Sequence, residues 1–309
     1  MVKKNYDIII VGYGPAGVTA AIYAARKKLS VLLFGELPGG EVRNSGEIEN
    51  WPGDGVTDGN TLAQKLVDHL KLHEDMVAVE VKKVARIEKR DDVFVCTGAD
   101  GKEYQGKTVI YTAGRRPRQL GVPGEDSFRN RGITYCATCD APLFQGKTVA
   151  VVGGGNTAAE AVIMLQKIAG KIYLLQNLEE LTADPVLVDS FINDPKISAI
   201  FNAQVEELGG EVMVKKLDYK DVKTNEKKSL EVEGVFVAIG AIPNTEPVKD
   251  LIKLNRFGAI EADRYGVTSV PGFFAAGDAT NIRDAQIIVA AGQGCSAALS
   301  AGDYLVRKQ

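Results

Sequence analysis

Asp7-Ile8-Ile9-Ile10-Val11-Gly12-Tyr13-Gly14-Pro15-Ala16-Gly17 is an apolar run that enters a G-x-G-x-x-G turn. Thr148-Val149-Ala150-Val151-Val152-Gly153-Gly154-Gly155-Asn156-Thr157-Ala158 does the same with alanine in the last place. Gly12 matches Gly153, Gly14 matches Gly155, and Gly17 matches Ala158. Both runs read as buried parallel strands, and helical patterns rich in small residues follow, Ala20, Ala21, Ala24 and Ala25 in the first. In such a turn the first glycine permits the sharp bend, the second lets backbone approach a pyrophosphate, and the third keeps helix on strand. The helix N-terminus then offers free N–H groups and partial positive charge to the phosphates. One copy is weak evidence, since an ordinary glycine turn explains it equally well; two in the same strand-turn-helix setting are much harder to dismiss.

A second pair of segments repeats downstream. Thr108-Val109-Ile110-Tyr111-Thr112-Ala113-Gly114 and Gly234-Val235-Phe236-Val237-Ala238-Ile239-Gly240 are buried-type strands ending in small residues, each followed by a proline, Pro117 or Pro243. The spacing predicts a duplicated α/β fold of two Rossmann-like, three-layer domains, with hinges near residues 113–118 and 240–247. Later, Gly272-Phe273-Phe274-Ala275-Ala276-Gly277-Asp278 brings an acidic residue to the end of a short strand, followed by Gln286, Ile287 and a small-residue run at 290–294. Alone, that stretch also reads as a strand capped by a helix-starting aspartate.

Composition removes other classes. Charged residues are 25% and apolar residues 45% of 309, ordinary for a globular chain of about two domains. Thirty-seven basic against 40 acidic residues give a net charge of −3, without the basic balance of a nucleic-acid binder. No apolar stretch reaches the roughly 18 residues of a membrane helix. Lys3 and Lys4 precede only Ile8 to Val11, too short for the h-region of a secretory signal, so the segment from Met1 to Val11 reads as a first strand and the expected compartment is the cytoplasm.

Four cysteines are present: Cys96, Cys136, Cys139 and Cys295. Cys136 and Cys139 form C-x-x-C, open to three readings: a redox disulfide, half of a metal site, or two small core residues. A zinc site needs four ligands, and beyond the pair there are only Cys96, Cys295, His69 and His73. Cys96 sits in a strand pattern and Cys295 in a small-residue helix pattern, both core-like. His69 and His73 share a helix face at i, i+4 and read as solvated surface. No metal is therefore expected. In the redox reading a thiolate is the nucleophile, and Asp140, next to the pair, is a carboxyl able to carry its proton. Asp140 also reads as a plain helix N-cap.

These motifs, with Glu49-Asn50-Trp51-Pro52-Gly53 and Cys136-Ala137-Thr138-Cys139-Asp140, make the sequence resemble the low-molecular-weight thioredoxin reductases over essentially its whole length. The resemblance implies a discontinuous FAD-binding domain over residues 1–116 and 246–309, and an inserted NAD(P)-binding-like domain over 117–245 that carries the cysteines. It places FAD at Gly12, Gly14, Pro15, Ala16 and Gly17, with Gly40, Glu41, Val42, Asn50, Ala113, Gly277, Asp278, Gln286 and Ile287 at other flavin positions. Glu41 stands where the family has glutamine. A nicotinamide nucleotide is implied at Gly153, Gly155, Asn156 and Thr157. Cys139 is then the sulfur that meets the flavin, Cys136 the one that attacks a protein disulfide, and Asp140 the proton carrier. The resemblance further implies rotation of the insert between two states, a homodimer, and thioredoxin or a thioredoxin/glutaredoxin-like protein as partner.

The sequence departs from that family at one place. NADPH-dependent members hold the 2′-phosphate with arginines after the second strand of the second fold. Here Ile172-Tyr173-Leu174-Leu175 is followed by Gln176, Asn177, Leu178, Glu179, Glu180, Leu181 and Thr182. The arginines are missing and two carboxylates are added, an unfavourable setting for a phosphate. The acidic residue that holds the ribose hydroxyls in an NAD site is also replaced, by Gln176. NADH, weakly held NADPH and reduced ferredoxin all remain open as donors. The rival functions are a reductase of the alkyl hydroperoxide reductase type, a ferredoxin–NADP reductase and a non-catalytic flavin redox sensor. The first normally carries an extra N-terminal thioredoxin-like module, for which a first strand near Tyr6 leaves no room. The second lacks the cysteine pair.

Overall fold

The computed structural model describes residues 5–308. Lys3 and Lys4 lie outside the described residues. The chain divides into two compact units, residues 1–116 with 242–309, and residues 117–241. The return to the outer unit falls four residues before the 245/246 boundary expected from sequence. Asn244 belongs there physically: its side-chain amide donates to the Ala113 carbonyl at 2.9 Å, and its own carbonyl accepts the Tyr111 hydroxyl at 2.7 Å.

The outer unit is built on Asn5–Val11, which lies between the parallel strands Val31–Phe34 and Glu103–Tyr111. The glycine turn leads from it into α1 (Pro15–Arg26). Val77–Glu80 extends one edge of the sheet. Glu103–Tyr111 is shared: its first half pairs antiparallel with Val93–Gly98, and its second half pairs parallel with Phe273–Ala275. Alternate side chains of the first strand enter two different cores. Ile8 and Ile10 pack with α1, while Ile9 and Val11 pack on the other face with Phe94, Tyr104 and Phe273. Each fully buried isoleucine contributes about 1.5–3 kcal/mol, so the run is a strong anchor. Ala20, Ala21, Ala24 and Ala25 are buried in α1 and let α6 (Ile287–Arg307) pack closely on it. α2 (Gly59–Lys71) is capped by Asp58, whose carboxylate accepts the Thr61 N–H at 3.0 Å.

The inserted unit repeats the plan. Its sheet runs Ile133–Thr134, Gly234–Val237, Thr148–Val152, Lys171–Leu175, Ile197–Ile200, all parallel. Thr148–Val152 again alternates between two cores, Val149 and Val151 toward α4 (Asn156–Gln166), Ala150 and Val152 toward an antiparallel meander over residues 203–231. Two short helices complete it, α3 (Ala137–Asp140) after the edge strand and α5 (Pro185–Asp189) after the Lys171–Leu175 strand. No helix among the described residues is long and apolar enough to cross a membrane.

Candidate functional site

The two glycine turns are the same object built twice. Gly12 and Gly153 have φ of +125° and +137°, open to glycine and strained for other residues. A Cβ on Gly12 would stand 2.1 Å from the Thr112 carbonyl oxygen, and one on Gly153 2.3 Å from the Ala238 carbonyl oxygen. Thr112 and Ala238 lie in the second pair of repeated segments, so each turn is closed by its own downstream strand. Gly17 is equally constrained, since its Cβ would meet the Gly12 carbonyl oxygen at 1.8 Å.

Gly14 and Gly155 differ. Both have ordinary negative φ, −86° and −91°, as N-caps of α1 and α4. A Cβ on Gly14 would meet only the Gly40 Cα, at 3.8 Å, and one on Gly155 only the Thr182 hydroxyl, at 3.7 Å. Neither the backbone nor the packing of this protein asks for glycine there. Each leaves a cradle at a helix N-terminus with no side-chain cap, the shape and polarity a pyrophosphate needs. The residues therefore fit a dinucleotide at both turns.

Other positions named from sequence gather around the first turn. Gly40 approaches Gly14 so closely that a Cβ on it would stand 2.7 Å from the Gly14 Cα. Val42 is buried with Ile48, Leu62 and Ala63, and Ile287 packs on that cluster. Glu41 accepts from the Asn44 amide at 3.0 Å and is exposed. The Asn50 amide donates to the Gln286 side chain at 3.3 Å. Ala16 lies below Gly277, whose Cβ would come within 3.2 Å of the Ala16 Cβ. Asp278 is not a helix cap; Arg115 lies 3.5 Å from its carboxylate. Burial raises the Asp278 pKa and Arg115 opposes the shift. Sequence reasoning missed Arg115 and also Gln293, whose side-chain oxygen accepts the Gly277 N–H at 2.8 Å. The place of Arg115 directly after Ala113-Gly114 was its one available signal.

At the second turn Asn156 is engaged within the protein. Its amide donates to Asp184 at 2.8 Å, and its oxygen accepts the Asp184 N–H at 2.8 Å. Thr157 is exposed beside it. The segment after Lys171–Leu175 folds back on the turn. Thr182 and Ala183 N–H groups donate to the Gly154 carbonyl at 2.8 and 3.0 Å, and the Thr182 hydroxyl donates to it at 3.2 Å. Gln176 is 6% exposed and lies against Gly154, where a Cβ would stand 2.1 Å from its Nε2. That side chain is spent on its own loop, donating to the Glu180 carbonyl at 3.3 Å and accepting the Asn177 N–H at 3.1 Å. Glu179 pairs with Lys223 at 2.8 Å on the surface.

The cysteine pair sits at the N-terminal end of α3. Cys136 and Cys139 are joined as a disulfide, with Cα atoms 5.3 Å apart. Cys136 is half-buried and Cys139 exposed, and the Cys139 N–H donates to the Cys136 sulfur at 3.2 Å. Asp140 closes α3, and its carboxylate makes no capping bond; it accepts the Thr134 hydroxyl instead. Burial pushes the Asp140 pKa up, and that hydrogen bond opposes it. Thr134 was not singled out from sequence. Cys96 is fully buried and its thiol pKa is raised by burial alone, while Cys295 is half-buried in α6. The His69 and His73 rings stand 6.1 Å apart.

Comparison with known proteins agrees with this arrangement. The sequence matches the family described as Pyridine nucleotide-disulphide oxidoreductase over residues 6–294. It is 43% identical over 305 residues to a Bacillus subtilis protein named NADH dehydrogenase, covering 99% of this chain and 60% of that protein. It is 40% identical over 305 residues to a Staphylococcus aureus protein named as a subunit of alkyl hydroperoxide reductase, with the same coverage. The chain thus spans about 60% of the length of these curated relatives. Among solved structures, thioredoxin reductase from Streptococcus pyogenes MGAS5005 superposes with a TM-score of 0.92 at 36% identity, covering 98% of this chain and 99% of the other. With two nucleotide turns, a bonded C-x-x-C pair and these relatives, the chain belongs to the pyridine nucleotide-disulphide oxidoreductase family.

Proposed function

We propose that this protein is an FAD-dependent disulfide reductase. Its donor is a nicotinamide nucleotide without a 2′-phosphate, and its acceptor is the disulfide of a small thioredoxin-like protein. The observation that carries the reading is the pair of glycine cradles at Gly14 and Gly155, where neither backbone nor packing asks for glycine, on a chain that also holds Cys136 and Cys139 as a disulfide. FAD at the first turn supplies two-electron chemistry, linking a hydride donor to a dithiol. In this reading Gly12, Gly14, Pro15, Ala16 and Gly17 hold its pyrophosphate. Gly40, Glu41, Val42, Asn50, Ala113, Gly277, Asp278, Gln286 and Ile287 hold the rest, and Gly153, Gly155, Asn156 and Thr157 hold the donor.

The loop over 176–183 argues against a 2′-phosphate on that donor. It is pinned to the Gly154 carbonyl, offers no arginine or lysine, and carries Glu179 and Glu180. A 2′-phosphate there would find no arginine fork to hold it bidentately. The chemistry at the cysteines follows from the local groups. A thiolate on Cys136 is stabilised by the Cys139 N–H that already points at its sulfur. It attacks the acceptor disulfide, Asp140 supplies a proton to the departing sulfur, and Cys139 resolves the mixed disulfide.

A second reading is a reductase that serves a peroxiredoxin, favoured by the 40% identity to the alkyl hydroperoxide reductase protein of Staphylococcus aureus. Anaerobic flavin spectra separate the donors. Rapid bleaching with NADH and slow bleaching with NADPH is the expected result. No bleaching with either, while dithionite reduces the flavin, overturns the donor and directs the search to reduced ferredoxin. Turnover of a thioredoxin-like protein alone supports the first reading. Turnover that requires a peroxiredoxin and peroxide supports the second.

A further inference from the structure

Thr134 joins the two ends of the proposed exchange chemistry through one atom. It closes the short strand Ile133–Thr134, which pairs with Val235 and Phe236, and it is 6% exposed. Its hydroxyl donates to the Asp140 carboxylate. The same oxygen accepts the Cys136 N–H at 3.1 Å. A β-branched residue in a strand has few χ1 choices, so this hydroxyl is held rather than free to search. We propose that Thr134 is a positioning residue for disulfide exchange: its hydroxyl ties the Asp140 carboxyl to the Cys136 backbone, so that proton donor and attacking sulfur are held as one unit. The inference rests on the reading of Cys136 as nucleophile and Asp140 as acid.

Among the described residues, Thr134 is the one side chain that acts on Asp140. Burial is the larger influence on Asp140 and Thr134 the smaller, opposing one, with no charged group contributing. α4, which packs on α3, carries Glu160, and that residue is exposed. The 141–144 turn and the Gly234–Val237 strand carry no titratable side chain, and the two cysteines are bonded to each other. A hydroxyl has one proton to give. An ionised Asp140 takes it; a protonated Asp140 has its own proton free for a departing sulfur while Thr134 still accepts from Cys136.

The proton and electron account closes. The reduced site holds a Cys136 thiolate, a Cys139 thiol and a protonated Asp140. The Cys136 sulfur bonds to one sulfur of the acceptor disulfide, the other leaves as a thiolate, and the Asp140 proton neutralises it. Asp140 then takes the proton of Cys139, whose sulfur bonds to Cys136 and expels the second acceptor thiolate. The same proton passes to that thiolate. Two electrons leave the cysteine pair, and two acceptor thiols form.

The test uses the flavin-loaded protein with its cysteine pair reduced, in single-turnover exchange with two disulfides. 5,5′-Dithiobis(2-nitrobenzoate) releases an aryl thiolate that needs no proton, whereas 2-hydroxyethyl disulfide releases an alkyl thiolate that does. The ratio of alkyl to aryl rate against pH isolates the acid from the ionisation of Cys136. For Thr134→Val the alkaline limb of this ratio should move up by about one pH unit, since the ionised carboxyl has lost its donor. Thr134→Ala should move it the same way, and Thr134→Ser should restore the parent profile. Asp140→Asn should make the ratio flat. If Asp140→Asn is flat while Val and Ala lower the rate without moving the limb, Thr134 is only structural and the inference fails. If Asp140→Asn keeps the parent profile, the acid assignment itself fails and takes the inference with it.

Discussion

Cys139 and Asp140 are adjacent in sequence and have opposite demands placed on them. Replacing Cys139 with serine removes one sulfur from an exposed position and leaves the glycine turns untouched. The variant is expected to keep FAD bound and to lose protein-disulfide reduction entirely; full turnover in a coupled assay would sink the mechanism. Asp140 carries a cost in stability. Its pKa is raised from 3.8 by burial, so the folded state keeps the proton longer than the unfolded state does. The contribution to stability is complete below about pH 3.8 and is lost as pH rises through the folded value. Asp140→Asn removes that loss. Thermal melts should place the variant above the parent at neutral pH, with the gap closing in acid. A variant less stable than the parent at neutral pH would show that the carboxylate is held by more than Thr134.

At the scale of the turn, glycines that look alike in the sequence do different jobs. Gly12→Ala drives a Cβ into the Thr112 carbonyl at a positive φ and should destabilise the outer unit by more than about 2 kcal/mol. Gly14→Ala meets nothing closer than 3.8 Å and should cost the ligand-free protein at most about 1 kcal/mol, the preference for glycine over alanine at an N-cap. It should weaken FAD binding by about tenfold or more, roughly 1.4 kcal/mol, measured by flavin fluorescence. Equal FAD affinity in Gly14→Ala would remove the main support for the cradle. In the loop after Lys171–Leu175, Asn177→Arg, Leu178→Arg and Thr182→Arg together should lower the KM for NADPH by about tenfold or more. No gain would mean that the fold-back onto Gly154 excludes the phosphate by shape. The two strand-turn-helix units were legible because continuous apolar runs and glycine spacing are local. The atoms that enforce the difference between Gly12 and Gly14 were not, since the Thr112 carbonyl and the Gly40 Cα arrive from distant parts of the chain. Thr134 was hidden for the same reason: nothing in its own sequence neighbourhood says that its hydroxyl meets Asp140. The meander over 203–231 was also missed. Its first strand slips register between Val205 and Glu207 and again between Gly209 and Gly210, which breaks the two-residue alternation that marks a strand.

The whole molecule is two units with separate cores, each a sheet buried on both faces. Ligands should therefore stabilise them separately. FAD at about 1,000 times its Kd adds about 4.1 kcal/mol to the unit that binds it. Calorimetry of ligand-free protein titrated with FAD should show one transition moving up while the other stays. Movement of both together would mean that the units melt as one.

The discontinuity of the outer unit also imposes an order on synthesis. Residues 117–241, which contain a whole sheet with its own cores, leave the ribosome before the rest of the outer unit. At that moment the outer sheet still lacks Phe273–Ala275, so Val109, Ile110 and Tyr111 form an open edge. At about 5–20 residues per second the missing strand follows roughly 2–7 s later. Over that interval the nascent chain has all of its inner unit and an unpaired apolar strand edge, and that is when a chaperone has the most to protect.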